Sequence, residues 1–104
     1  MVDTLEFNGR TVRVEANWNA IVAFLEATGQ DNWDGITAIG KLKPSDIAPL
    51  MAACINEGER LEGRESNLTA QDIGSNKDYS VITKFVEIYI KQSSPKTAPD
   101  PKKE

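Results

Sequence analysis

The sequence predicts an α+β fold, with an N-terminal β-hairpin packed on a small bundle of about four helices and a disordered C-terminal tail. Three observations carry this reading. Residues 3–15 alternate apolar and polar side chains on either side of Asn8-Gly9. Residues 44–61 repeat their apolar side chains at helical spacing. From Gln92 onward the chain has three prolines and no large apolar residue. The 104 residues suit one compact domain over 1–91 and a tail over 92–104.

In the hairpin, Leu5 and Phe7 alternate with Thr4, Glu6 and Asn8, and Val12 and Val14 alternate with Thr11, Arg13 and Glu15. Asn-Gly is the strongest short hairpin signal because both residues tolerate positive φ. Leu5, Phe7, Val12 and Val14 then share one face. A lone two-stranded hairpin is marginal in water, so that face must lie on helices or on another strand.

Asn17 is the expected N-cap of a first helix carrying Trp18, Ile21, Val22 and Leu25 on one stripe, with Gly29 as its stop. Trp18 reads most simply as a core residue. The segment WDGITAIGKL suggests a second, shorter helix through Trp33, Ile36 and Ile39, weakened by Gly35 and Gly40. Trp33 sits in polar surroundings. It either staples these two helices together or anchors a partner, since tryptophan is enriched at binding hot spots.

The organising element is Pro44–Leu61. Ile47, Leu50, Met51, Cys54 and Ile55 fall at i, i+3, i+4, i+7 and i+8, on one face of a helix. Fully burying its large apolar side chains would contribute roughly 8–15 kcal/mol gross. Ordering its backbone costs about 1–2 kcal/mol per residue, so the helix requires neighbours packed on that stripe. Pro49 leaves two readings open: a helix capped by Ser45, or a separate first turn followed by a regular helix from Pro49. Glu57, Glu59, Glu62 and Glu65 interleave with Arg60 and Arg64 and read as a solvated face. Further on, Thr69 and Asp72 fit a capping box opening a short turn that ends at Gly74. A last helix carries Ile82, Phe85, Val86 and Tyr89 on one stripe, and Val81 and Ile88 widen it. Exposed apolar area of that kind marks an interface, which makes Val81, Ile88 and Tyr89, with Trp33, the candidate partner-binding residues.

Chemistry is sparse. There is no histidine, which removes the commonest general base and the commonest transition-metal ligand. Cys54 is the single cysteine, lies on the apolar stripe and reads as a small core hydrophobe, and with it no intrachain disulfide can form. Asn67-Leu68-Thr69 matches the glycosylation acceptor pattern but reads better as a loop and helix cap. No phosphate-binding glycine loop and no nucleophile–base pair is visible. The chain is therefore expected to be no enzyme and to use no cofactor or metal. A formal net charge of −4 argues against nucleic acid and against an anionic membrane surface as partners. The opening MVDTLEF lacks a basic stretch followed by an apolar run, so no secretion signal is expected, and no run approaches the ~20 apolar residues of a membrane span.

The order of these signals resembles the tail assembly chaperones of long-tailed bacteriophages and prophages. The likeness rests on FNGRTVRV, on NWNAIVAFLEATGQDNWDGI with its Leu-Glu-x-x-Gly helix end, on LKPSDIAPLMAACINEG, on LTAQDIG and on the final helix to Lys91. It spans nearly all of residues 3–91 and is one of layout, with no catalytic motif to match. The resemblance implies a non-enzymatic protein of the host bacterial cytoplasm, absent from the mature virion. It would bind the long tape-measure protein, keep that hydrophobic helical client soluble until the tail tube assembles, and tend to self-associate. A small regulatory or antitoxin-like binding module, or a tail terminator or connector subunit, are the alternatives.

Overall fold

The computed structural model describes residues 2–29 and 44–93. In chain order they form β1 (Asp3–Phe7), β2 (Arg10–Val14), α1 (Trp18–Thr28), α2 (Pro44–Leu61), α3 (Ala70–Gly74) and α4 (Tyr79–Ser93). An α+β fold with an N-terminal hairpin on a helical body is what these elements make. The second helix expected through Trp33, and residues 94–104 of the expected tail, lie outside the described residues.

Local chemistry sets most boundaries. β1 and β2 pair antiparallel with Leu5 opposite Val12. Asn8 and Gly9 turn the chain with φ of 53° and 82°, the positive values that Asn-Gly admits. The Asn17 side chain accepts the Ala20 amide at 3.0 Å and starts α1. Gly29, at φ 72°, ends it in the left-handed conformation. Thr69 and Asp72 form the reciprocal capping box of α3.

α2 is one continuous helix from Pro44 with Pro49 inside it, which corrects both readings: Ser45 lies within the helix and not at its cap, and no separate first turn precedes Pro49. The cost is the hydrogen bond that an ordinary amide at position 49 would give the Ser45 carbonyl. α2 runs through the middle of the molecule, packed on α1, α3 and β2, while α4 packs on β1. The core gathers Leu5, Phe7, Val12 and Val14 from the hairpin with Ile21 and Phe24 from α1. Leu50, Met51, Cys54 and Ile55 of α2, Ile73 of α3, and Phe85, Ile88 and Tyr89 of α4 complete it. The Phe85 and Tyr89 rings lie 6.1 Å apart, tilted by 37°, within the range where aromatic pairs attract.

Three expectations are corrected. Trp18 is 62% exposed: the buried face of α1 runs through Ala20, Ile21 and Phe24, and Trp18 sits about a third of a turn away from its centre. Leu61, the last residue of α2, is exposed where the helix emerges from its neighbours. α4 continues through Ser93, beyond the expected boundary at Lys91. Gln92 holds that extra turn, because its carbonyl oxygen accepts the Ala16 amide at 2.6 Å. Its amide nitrogen donates to Asp3 at 2.9 Å and to the Val14 carbonyl at 3.0 Å. Among the described residues no helix is long and apolar enough to cross a membrane.

Candidate functional site: an alanine-lined groove beside a buried charge cluster

The C-terminal half of α2 has β2 pressed against its backbone. A Cβ on Gly58 would stand 2.2 Å from the Arg13 carbonyl oxygen and 2.5 Å from the Arg13 carbonyl carbon, so only glycine fits. This close approach lets α2 complete the outer edge of β2. The Arg13 amide donates to a Glu59 carboxylate oxygen at 3.1 Å, and the Glu15 amide donates to the Cys54 carbonyl at 3.1 Å. An edge strand is thereby paired without a third strand.

The same packing buries two acids that read from sequence as a solvated face. Glu59 is 0% exposed and Glu57 is buried, a correction whose cause is tertiary. β2 covers one side of this turn and the chain after α2 folds back over another. Their charges are met by the arginines interleaved with them. Arg64 donates to Glu59 through Nε and Nη2, both at 2.8 Å. Arg60 donates to Glu57 through Nε at 2.9 Å and Nη2 at 2.7 Å. Glu57 also accepts from Asn17 at 2.7 Å and Asn19 at 3.2 Å, tying the start of α1 to α2. The Arg64 guanidinium, then the Arg13 amide, hold the Glu59 carboxyl down at about 2 against the cost of burial. Arg60, with Asn17 and Asn19, does the same for Glu57, also to about 2. Arg13 spans Glu62 at 2.7 Å and Glu15 at 3.2 Å. Its Nε is the one buried side-chain nitrogen or oxygen among the described residues without a hydrogen-bond partner.

Asn56, between these acids and the apolar stripe, shapes the surface. Its oxygen accepts the Ser66 hydroxyl at 2.6 Å and the Leu68 amide at 2.9 Å, and its nitrogen donates to the Leu68 carbonyl at 2.9 Å. Residues 66–68 are thus held as a wall facing α1 across α2. Between the walls lie two adjoining cavities of about 350 Å³ each, which share Ala23, Ala53 and Asn56. One is lined by Ala27 of α1, Pro49 and Ala52 of α2, and Leu68 and Ala70. The other turns polar, with Asn19, Glu57, Arg60, Arg64 and Glu65 around it. Small side chains make this groove: α2 and α1 present alanine where larger residues would fill the space.

Glu57, which lines the groove, and Glu59, buried outside it, are both held charged by arginines, the opposite of a poised proton donor. Burial pushes the Cys54 thiol up and away from reactivity. The Tyr89 hydroxyl is pushed up to about 12 by burial and by Cys54. Among the described residues no group of three or more His, Cys, Asp or Glu is placed to hold a metal ion.

The candidate partner-binding residues are dispersed. Trp33 lies outside the described residues. Val81 is half-buried against the core, and Ile88 and Tyr89 are inside it. The open second face expected on α4 is therefore corrected. β1 covers α4 from one side while Tyr89 reaches the α2 core from the other, so a wide stripe serves two neighbours within one chain. The hairpin's own apolar face was the signal, since Leu5 and Phe7 required a helix to lie on. On α4 the exposed large apolar residues are Tyr79 and Ile90. The groove itself was missed because alanines at positions 23, 27, 52 and 53 carry no periodic signal of their own. Compared with protein-family models, with curated proteins and with solved structures, the chain matches none.

Proposed function

We propose that this protein is a tail assembly chaperone. It binds a hydrophobic helical segment of a tape-measure protein, keeps that client soluble in the host cytoplasm during tail assembly, and performs no chemistry. The observation that carries the proposal is the alanine-lined groove between α1, α2 and residues 66–70. A helix laid into such a groove inserts its apolar side chains at i, i+3 or i+4, and i+7. Arg60, Arg64 and Glu65 at the polar end give the client a register. The resemblance in layout to tail assembly chaperones supplies the identity of the client, and the acidic net charge of −4 suits a body that must stay soluble beside an aggregating one.

The test is co-expression with the candidate tape-measure protein. Ala23 and Ala27 are exposed on α1, and arginine is a good helix former. The double variant Ala23→Arg, Ala27→Arg therefore fills the groove while leaving the core intact. We expect the native chain to keep the client in the soluble fraction, and the double variant to lose that effect with an unchanged melting midpoint. A client equally soluble without the native chain would remove the chaperone reading. A client rescued equally by the double variant would keep the function and place binding elsewhere.

A further inference from the structure

The two edges of the hairpin are unequal. In an antiparallel pair a residue's N–H and C=O point to the same side. The Arg13 and Glu15 amides point outward to α2, so Val12 and Val14 are the residues of β2 that bond to β1. Their partners in register are Leu5 and Asp3. Thr4 and Glu6 are consequently left with amide and carbonyl groups facing away from β2. Among the described residues neither has a backbone hydrogen bond on that side, and both residues are exposed. A cavity of about 370 Å³ opens beside the Thr4 end of this edge, lined by Val2, Asp3 and Thr4 and, on α4, by Lys84, Glu87, Ile88 and Lys91. The protein thus completes one edge of its sheet with a helix and leaves the other open, with room beside it.

We propose that the open edge of β1 pairs antiparallel with β1 of a second copy, across a two-fold axis, to make a continuous four-stranded sheet. The inference goes beyond the client-binding reading and stands without it. What selects a second copy as occupant is the complementarity of the edge to itself. Among registers that set outward residues against outward residues, one places Glu6 against the partner's Glu6, two carboxylates in contact. Another places apolar Val2 against the partner's Glu6. A third sets Val2 against the partner's Thr4 and brings Asp3 against the partner's Asp3, again two carboxylates. The register that pairs both outward residues of β1 without such a contact sets Thr4 against the partner's Glu6 on both sides of the axis and Leu5 against the partner's Leu5. This repeats a pairing the chain already makes, because Glu6 lies opposite Thr11 within the hairpin and accepts its hydroxyl. Each Glu6 would then stand between two threonine hydroxyls. An isologous interface requires such self-complementarity. α4 flanks the Thr4 end of this edge with exposed Lys84 and Glu87, side chains of opposite sign.

The test uses the full chain. Sedimentation or light scattering over a concentration series should give a particle of twice the 11.4 kDa of the chain. Thr4→Pro removes an outward amide while sparing the ladder to β2, since proline is tolerated where an edge strand's N–H faces solvent. It should raise the dimer dissociation constant about ten- to a hundredfold and leave the circular dichroism unchanged. Should that variant fail to fold, amide exchange of the native chain decides the matter. Thr4 and Glu6 should be protected at concentrations where the dimer forms and should exchange freely on dilution. A native chain monomeric at every concentration overturns the proposal. So does a dimer in which Thr4 and Glu6 exchange freely, or one that Thr4→Pro does not weaken. Protection of these two amides in a monomeric chain, appearing only with added client, would assign the edge to an extended segment of another protein and also overturn it. Because Ala23 and Ala27 lie on α1, the groove variant tests client binding separately from this edge.

Discussion

Replacing Glu59 by glutamine should destabilise the fold strongly at neutral pH and weakly in acid. In the native chain Glu59 accepts two guanidinium hydrogen bonds from Arg64 and the backbone amide of Arg13. A glutamine oxygen can keep one of these, while its NH₂ group is turned toward other donors. Arg64 is half exposed and recovers hydration by swinging out, so the loss falls below the ~3–5 kcal/mol of stranding a fully buried partner. We take about 2–4 kcal/mol at pH 7, read as a shift in urea midpoint at constant slope. The sign of the pH dependence follows from the direction of the pKa. The folded carboxyl is depressed from 4.5 to about 2, so its contribution is complete above the unfolded value and is lost as pH falls from 4.5 toward 2. That contribution is at most about 3 kcal/mol and, with solvent screening at the half-exposed Arg64, about 1–3 kcal/mol. Glutamine does not titrate. Glu57 is depressed in the same way but is common to both proteins and cancels in the comparison. Melts of both proteins at pH 7 and at pH 2 should therefore show the gap between them narrowing by about 1–3 kcal/mol in acid. A gap under about 0.5 kcal/mol at pH 7, or one of equal size at both pH values, would refute the assignment of Glu59 as a charged, buried strut.

Two further variants probe the elements around it. Gly58→Ala drives a Cβ into the Arg13 carbonyl at 2.2 Å; although alanine is the better helix former, we expect a net loss of about 2 kcal/mol or more in a urea melt, and a stabilised variant would mean that β2 does not lie on α2 as described. Gln92→Ala cuts the hydrogen bonds to Ala16, Asp3 and Val14 and should lower stability by about 1–2 kcal/mol, with faster amide exchange at Ala16; unchanged exchange there would detach the end of α4 from the hairpin.

What was legible in the sequence was what neighbouring residues decide among themselves. Asn8-Gly9, Asn17, Gly29 and the Thr69–Asp72 pair each fix a turn or a helix end within a few residues, and all four stand where they were expected. The α2 stripe was legible because Leu50, Met51, Cys54 and Ile55 share a face by spacing alone. The burial of Glu57 and Glu59 was not. Whether a carboxylate faces water depends on what covers it, and Glu59 is covered by β2, whose Arg13 lies 46 residues earlier. Gly58 was the available clue: a glycine between two glutamates inside a helix weakens it unless another backbone needs the space. Ile88 and Tyr89 were misread for the same reason, since the width of a helical stripe does not say whether its second half meets a partner or the chain's own hairpin.

The dependence of β2 on α2 also orders events during synthesis. The hairpin is made first, yet the acceptors that complete its outer edge, the Cys54 carbonyl and the Glu59 carboxylate, are made some 40 residues later. Until then the nascent ribbon has two unsatisfied margins and an apolar face with nothing beneath it, a species of the kind that pairs with whatever strand is near. Docking of α2 closes the β2 margin and begins to cover the apolar face. Chains halted before Glu59 should be prone to aggregate even though every residue of the hairpin is present, and folding should speed up or slow down with substitutions along the α2–β2 seam more than with substitutions in the Asn8-Gly9 turn.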